Sequence, residues 1–364
     1  MLKVALTGSH GFLGWHTRVA LRERDVEPQR VVVGAAADLD AAVAALDGAE
    51  RVIHLAGVNR ASDEEIRQGN ISFAEHLAQA LTRCENPPSV IVYANSIHAG
   101  TTGAYGDSKA RAAELLTAAA DKVGGSFHDV RLPNLFGEHG RPNYNSVTAT
   151  FCHQLAHGGQ PVVNGDKELT LLHAQNAADL LIGTVAPEQQ PELEVVESVT
   201  GLLGRLQHQA ETYRRGEIPD IADPFDRDLF NTYRSFTFPG HTPVKLTRHA
   251  DARGSFFEII RNHGGTGQSS FSITHPGISR GDHYHRRKVE RFTVLAGSAT
   301  ISLRQLFTDE VYDVEVTGDE PVSVDMPTGW AHRITNTGQD DLYTSFWTND
   351  LFDAHATDTI PETV

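Results

Sequence analysis

Strand-like and helix-like runs alternate along the first third of the chain, and beyond Val244 only strand-like runs remain. Lys3–Leu6, Arg30–Val33, Arg51–Leu55, Ser89–Tyr93 and Phe127–Leu132 are short and β-branched or apolar, which predicts strands. Between them, Leu13–Arg24, Asp38–Leu46, Asp63–Cys84 and Tyr105–Val123 carry Ala and Leu at helical spacing. That order closes as βαβ units, so a doubly wound parallel α/β sheet is expected over residues 1–235. The region 187–243 has a weaker pattern: Leu202–Tyr213 reads as helix, while Ile218–Pro239 shows no period and is assigned to a substrate or linker region. Past Val244, Ser269–Thr274, Arg291–Leu295, Ala299–Gln305, Glu310–Val316 and Val322–Met326 are separated by Gly, Asp, Pro and Asn. This spacing predicts an all-β barrel over residues 244–364, expected to fold alone.

At 364 residues and 40% hydrophobic content the chain can build two cores. Its net charge of −16 argues against a nucleic-acid or anionic-membrane partner. No run reaches the roughly 18 apolar residues of a membrane helix. Cys84 and Cys152 cannot make a disulfide framework, and the N-terminus lacks a signal-peptide pattern, so a cytoplasmic location is expected.

Thr7-Gly8-Ser9-His10-Gly11-Phe12-Leu13-Gly14 lies between the first strand and the first helix. Glycines at this point permit a tight turn and close backbone approach to a pyrophosphate at the helix N-terminus. Farther on, Tyr105 and Lys109 stand four residues apart in a helical run, so phenol and ammonium share a face and can meet at one site. Such a cation would favour phenolate and make Tyr105 a usable acid or base. Ser96, beyond the strand ending near Tyr93, is placed to hydrogen-bond a carbonyl.

Together these features make residues 1–235 resemble an extended short-chain dehydrogenase/reductase of Rossmann type. The resemblance implies Ser96, Tyr105 and Lys109 as catalytic residues. It implies Gly8, Gly11, Phe12, Leu13, Gly14, Asp38, Leu39, Leu55, Ala56, Gly57 and Asn70 along an NAD(P) cofactor, which Tyr105 and Lys109 also touch. Gly34-Ala35-Ala36 after the second strand supplies neither a basic nor an acidic selector; NADP(H) is expected ahead of NAD(H). Arg131-Leu-Pro-Asn134-Leu-Phe-Gly137 resembles the start of a nucleotide-sugar pocket, with Arg141 and Asn145 in a further shared stretch.

In the second domain, His283 and His285 at i and i+2 can face one ion, and Glu290 and His332 can complete it. Three imidazoles and a carboxylate suit Zn²⁺, Fe²⁺, Mn²⁺ or Ni²⁺; zinc is the working expectation. The spacing Gly-x5-His-x-His-x4-Glu-x6-Gly, then Pro-x-Gly-x2-His-x3-Asn, resembles the two cupin motifs, with Pro321 where the second motif would open on Gly. Asp251-Ala-Arg253-Gly-Ser-Phe256-Phe-Glu258 resembles the nucleotide-sugar segment of dTDP-4-keto-6-deoxyhexose 3,5-epimerases. The match implies Arg253 on a phosphate and Phe256 and Glu258 at the nucleotide; a guanidinium fork suits phosphate oxygens.

A reductase followed by an epimerase-like cupin resembles the bifunctional enzymes of capsule synthesis. The resemblance implies a UDP-linked 4-keto-6-deoxy N-acetyl amino sugar as substrate, epimerised at C3 and reduced at C4 to UDP-2-acetamido-2,6-dideoxy-L-talose, and a homodimer. The chemistry links the steps: a 4-ketone acidifies its neighbouring C–H bonds, and reduction of the same ketone fixes the new configuration. His275, Tyr284, Lys288 and Tyr343 all stand as possible epimerising bases. Two other readings remain, a plain 4-ketosugar reductase with a structural metallo-cupin and a non-catalytic sensor.

Overall fold

The computed structural model describes residues 3–34 and 37–364; Ala35 and Ala36, which bear on cofactor preference, lie outside the described residues. The chain divides into two compact units. The first runs to Phe136 and adds Gly140–Val147 and Glu168–Glu197; the second takes Gly137–His139, Thr148–Lys167 and Ser198–Val364.

In the first unit β1 (Val4–Thr7), α1 (Phe12–Arg22), β2 (Gln29–Val31), α2 (Leu39–Leu46), β3 (Arg51–His54), α3 (Asp63–Arg83), β4 (Val90–Ser96), α4 (Ala104–Val123) and β5 (Ser126–Leu132) alternate as expected. The strands form a parallel sheet in the order β2-β1-β3-β4-β5. Alternate side chains feed opposite faces. Val4, Leu6, Ile53, Val92 and Ala94 pack with Ala20 and Leu21 of α1, whereas Ala5, Val52, Ile91 and Tyr93 pack with Leu46, Leu77 and Leu116 of α2 to α4. The strand order reverses between β1 and β3, and the C-terminal ends of strands at such a reversal open a ligand crevice. The loops after β1 and β3 and the end of β4 meet there. A small sheet of β6 (Asn134–Phe136), β7 (Glu168–His173) and β8 (Val195–Ser198) follows; α5 (Val147–Ala156), between β6 and β7 in the chain, belongs to the second unit from Thr148 on. Between β7 and β8 come α6 (Ala174–Ile182), which adds Ala177 and Leu181 to the core beside α1, and α7 (Gln190–Leu193).

From Ser198 onward the second unit carries α8 (Val199–Arg214) and α9 (Pro224–Thr237), then β9 (Val244–Lys245), β10 (His249–Asp251), β11 (Gly254–Phe256), β12 (Gln268–Thr274), β13 (Ser279–Tyr284), β14 (Glu290–Ala296), β15 (Ser298–Gln305) and β16 (Val311–Thr317). β17 (Val322–Met326), β18 (Trp330–Asn336), β19 (Leu342–Thr348) and β20 (Ile360–Pro361) complete it. Two five-stranded sheets, β12-β19-β14-β17-β9 and β16-β15-β18-β13-β20, share a core that includes Val294, Ile301, Leu303, Val324, Met326 and Ile334. This is a cupin-like β domain.

Two sequence expectations need correction. The stretch 218–239 is not irregular: Asp223 caps α9, Pro224 opens it, and Phe225, Leu229, Phe230 and Tyr233 are buried along it. Asp228, Asn231, Thr232 and Arg234 are buried too, and these polar residues hide the helical period. Nor is the second unit strands alone. Buried Arg291 binds Asp325 with both forks (2.6 and 2.8 Å), and Tyr213 of α8 donates to Asp325 at 2.9 Å. Arg291 also donates to the Gly216 carbonyl at 2.7 Å, and Arg234 of α9 to the Met326 carbonyl at 3.2 Å. The helices thus complete a charge network inside the barrel's own unit.

Candidate functional site

The first group of residues surrounds the strand reversal. Gly8 adopts a positive φ of 66°, and a Cβ there would stand 2.7 Å from the Ala56 amide nitrogen. A Cβ on Gly14 would strike the Gly8 carbonyl at 2.2 Å, so Gly14 lets the helix close on the turn. Gly11 differs: its Cβ would make a single 3.3 Å contact with the Gly8 carbonyl, so packing alone hardly demands glycine. Gly11 is the N-cap of α1, no side chain caps that end, and the first turn carries no acid. Open amides at a helix N-terminus suit the pyrophosphate of a dinucleotide, and these residues fit that group. Phe12 and Leu13 are half-buried in the first turn.

Thr7 ties the crevice together: its hydroxyl accepts from the Leu55 and Ala56 amides (3.0 and 3.2 Å) and meets His54 Nδ1 at 2.8 Å. Asn70 holds the next residues, pairing with both the amide and carbonyl of Val58 at 2.9 Å and with Ser108 Oγ at 3.1 Å. It is 2% exposed and abuts Gly57, where a Cβ would sit 3.1 Å from its Oδ1. Asp38 caps α2, one carboxylate oxygen accepting from the Asp40 and Ala41 amides, and Leu39 packs on the core beneath it.

Ser96 ends β4, and Tyr105 lies in the first turn of α4 within its influence. Burial raises the Tyr105 pKa above its ordinary value and Ser96 lowers it by less, so the phenol keeps its proton. Lys109 departs from expectation. Its ammonium donates to the Ala94 carbonyl at 2.8 Å and lies 4.2 Å from the centre of the Tyr93 ring. Burial pushes its pKa down to about 7, with Asp129 opposing. The phenol and ammonium share α4, but the surroundings raise rather than lower the phenol's pKa. His54 stacks on Tyr93 with ring centroids 5.4 Å apart; burial, then the Lys109 charge, push its pKa down to about 3, so it is neutral. His54, Tyr93 and Asp129 were not singled out from sequence as site residues, because each sits inside an ordinary-looking strand.

The proposed sugar residues of this unit make local contacts of their own. Asn134 donates to the Thr170 carbonyl at 3.1 Å, Arg141 stacks over Tyr144 at 4.8 Å, and Asn145 is exposed. Among the described residues, no hydrogen bond, ion pair or ring contact joins them to Ser96, Tyr105 or Lys109.

In the second unit, β13 and β18 bring His283 directly opposite His332, and β14 begins with Glu290. A bulge at Asp282 sets that register; Gly281 (φ 117°) approaches the His332 carbonyl so closely that a Cβ would be 2.5 Å away. One donor atom from each of His283, His285, Glu290 and His332 falls within 4.8 Å of all the others. His332 Nε2 is 3.1 Å from both His283 Nε2 and Glu290 Oε2, and His285 Nε2 is 3.0 Å from the same oxygen.

The tautomers test the fit. His285 Nδ1 faces the Asp358 carbonyl at 2.5 Å and His332 Nδ1 faces the Trp330 carbonyl at 3.2 Å. A carbonyl can only accept, so both Nδ1 atoms carry protons and both Nε2 lone pairs point inward. Converging lone pairs beside a carboxylate oxygen suit a divalent cation. Burial alone would raise Glu290, but its bonds to His285 and His332 hold it well below the carboxylate range. Burial, then the neighbouring imidazoles, push His283 down to about 4.

Arg253 sits on the exposed β10–β11 turn, its guanidinium gripped by Asp251 at 2.5 Å; Glu258 pairs with Arg261 at 2.7 Å, and Phe256 is 68% exposed. A cavity of about 530 Å³ is lined by His249, Asp251, Arg253 and Phe256. None of these hydrogen-bonds or ion-pairs with the four donors. Of the possible bases, His275 binds Asp341 at 2.7 Å and Tyr343 is part-exposed, while Tyr284 is fully buried and Lys288 donates to the Thr357 carbonyl at 2.5 Å.

No described helix is long and apolar enough to cross a membrane. Residues 4–193 match the NAD dependent epimerase/dehydratase family, and residues 249–360 match the polysaccharide biosynthesis C-terminal domain. The chain is 32% identical over 373 residues to the UDP-2-acetamido-2,6-beta-L-arabino-hexul-4-ose reductase of Pseudomonas aeruginosa, covering 98% of each. It is 31% identical over 113 residues to the spore coat polysaccharide biosynthesis protein SpsL of Bacillus subtilis, covering 29% of this chain and 75% of that one. The capsular polysaccharide assembling protein CapF from Staphylococcus aureus is similar over 100% of both chains, at 30% identity and a TM-score of 0.61. A structure of CapF with the inhibitor 3-isopropenyl-tropolone matches at 29% identity and a TM-score of 0.55. With its glycine turn, Ser–Tyr–Lys face and matched residues 4–193, the chain belongs to the NAD dependent epimerase/dehydratase family.

Proposed function

We propose that the chain is a bifunctional UDP-sugar enzyme of capsular or surface polysaccharide synthesis. The cupin-like unit epimerises a UDP-2-acetamido-4-keto-2,6-dideoxyhexose at C3, and the reductase unit reduces its C4 ketone to UDP-2-acetamido-2,6-dideoxy-L-talose. The observation that carries this is the joint presence, in one chain, of a tight glycine turn opening α1 in the unit that holds Ser96, Tyr105 and Lys109, and of a His3Glu cluster in the other unit. Full-length similarity to a UDP-sugar 4-ulose reductase supports the substrate class.

In the reductase unit, the nicotinamide, NADPH ahead of NADH, supplies hydride when bound. Gly8, Gly11 and Gly14 admit its pyrophosphate, while Asp38, Leu39, Leu55, Ala56, Gly57 and Asn70 shape the groove. Ser96 orients the sugar carbonyl and Tyr105 donates a proton to its oxygen; burial keeps that proton in place at neutral pH. Lys109 completes the catalytic set, which its place on α4 with Tyr105 supports. Asn134, Arg141 and Asn145 border the sugar.

In the cupin-like unit, His283, His285, Glu290 and His332 would hold a divalent metal, zinc first, whose chemistry is to polarise an oxygen. Arg253, Phe256 and Glu258 receive the nucleotide once Asp251 yields the guanidinium. The working form is a cytoplasmic homodimer. A second reading, reductase with a purely structural metal, draws on the near-complete burial of His285 and His332. Incubation with the 4-ketosugar in D₂O without NAD(P)H separates them: deuterium beside the ketone is expected, and none would leave a reductase alone.

A further inference from the structure

We infer that Asp358, near the C-terminus, is a positioning residue for the metal-ligand cluster, holding both the orientation of His285 and the loop that carries the chain from His285 to Glu290. The inference rests on the metal reading above. Two parts of Asp358 act on the same short segment. Its main-chain carbonyl receives the His285 Nδ1 proton at 2.5 Å, which turns the Nε2 lone pair toward Glu290 and His332. Its carboxylate receives three successive backbone amides: Arg286 at 2.9 Å on one oxygen, Arg287 at 2.8 Å and Lys288 at 2.7 Å on the other. Three consecutive amides converging on one carboxylate are the geometry of an anion nest, here filled by the protein's own side chain.

The residue is held in its turn. Asp358 has a positive φ of 42°, a conformation a non-glycine residue keeps only under constraint from its neighbours. On one side Lys288 Nζ donates to the Thr357 carbonyl at 2.5 Å. On the other, β20 pairs with β13, matching Tyr284 with Ile360 and His283 with Pro361. Beyond it the Glu362 amide donates to the Asp282 carbonyl at 3.0 Å, and Arg304 pairs with Glu362 at 2.8 Å. The last eight residues therefore strap the strand bearing His283, and Asp358 is the buckle at His285. The cupin-type spacing holds no trace of this, because Asp358 lies 68 residues beyond Glu290 (358 − 290).

Partners that fix a ligating imidazole typically change metal affinity by about 10- to 100-fold. The full-length protein is stripped, reloaded with Zn²⁺, and its release to a competing chelator is followed; Co²⁺ loading gives a visible spectrum that reads ligand geometry. Relative to the wild type, Asp358→Ala is expected to release Zn²⁺ about 10-fold faster or more and to show altered Co²⁺ bands, with Asp358→Asn between the two. Circular dichroism checks folding; should Asp358→Ala not fold, Asp358→Asn decides by the same comparison. Folded variants with wild-type release and wild-type Co²⁺ bands would overturn the positioning role while leaving the metal site intact. Wild-type protein that holds no Zn²⁺, or holds it equally after joint His283→Ala and His285→Ala substitution, would instead overturn the metal reading and the inference with it.

Discussion

Gly11 and Gly14 sit three residues apart and do different jobs. A methyl at Gly14 meets backbone at 2.2 Å, which cannot give way, whereas one at Gly11 meets only a 3.3 Å contact. Gly14→Ala should therefore cost folding, read as a lowered urea midpoint. Gly11→Val should leave folding intact and weaken NADPH binding, read by cofactor fluorescence; unchanged affinity would make the turn purely structural. Lys109 gives a pH signature. Its folded pKa is near 7 against an ordinary 10.5, so between those values the unfolded chain holds a proton the folded one has released. Stability should rise with pH across that window as the buried charge is relieved. Lys109→Met should flatten the rise and gain most at pH 6. Urea midpoints of the two proteins at pH 6 and 9 check this, and equal differences at both would contradict it.

At the level of elements, every strand and helix expected up to Leu132 is present within a few residues, since parallel βαβ units bury continuous apolar runs that show in the letters. The clustering of His283, His285, Glu290 and His332 was equally legible, because a ligand-type pattern restricts residue type as well as spacing. What hid was polar. β13 reads Ser-Arg-Gly-Asp-His-Tyr, and its bulge breaks the alternation that marks a strand. α9 buries Asp228, Asn231 and Arg234, and Asp358 meets its partners across a long sequence gap. The Lys109 ammonium was misplaced because helical spacing gives a shared face but not where a long side chain ends. The charge network across α8, α9 and the barrel carries its own prediction. Asp325→Ala strands the buried Arg291 charge and should cost about 3–5 kcal/mol in denaturant unfolding. A chain begun at Val244 loses Tyr213 and Arg234 together, so it should fail to fold by circular dichroism, contrary to what its strands alone suggest. A cooperative melt from that fragment would show the helices to be dispensable.

For the whole molecule, the proposed scheme has one ketone serve two chemistries, and the two sets of residues occupy separate compact units. In that scheme the acid that finishes reduction is Tyr105, while proton exchange beside the ketone needs only a base and an oxygen-polarising group in the cupin-like unit. The two activities should therefore come apart under single substitutions. Arg253→Ala, which removes the proposed phosphate grip, should lose exchange and keep slow NADPH oxidation with a ketosugar.

Tyr105→Phe tests the two-site account most directly, assayed on the UDP-linked 4-ketosugar in D₂O by mass spectrometry for exchange and by nicotinamide absorbance for reduction. Reduction should fall by roughly 10²-fold or more, the scale of a lost general acid, while deuterium still enters beside the ketone at the wild-type rate. A folded Tyr105→Phe protein in which both signals vanish would contradict it and place all of the chemistry in the reductase unit.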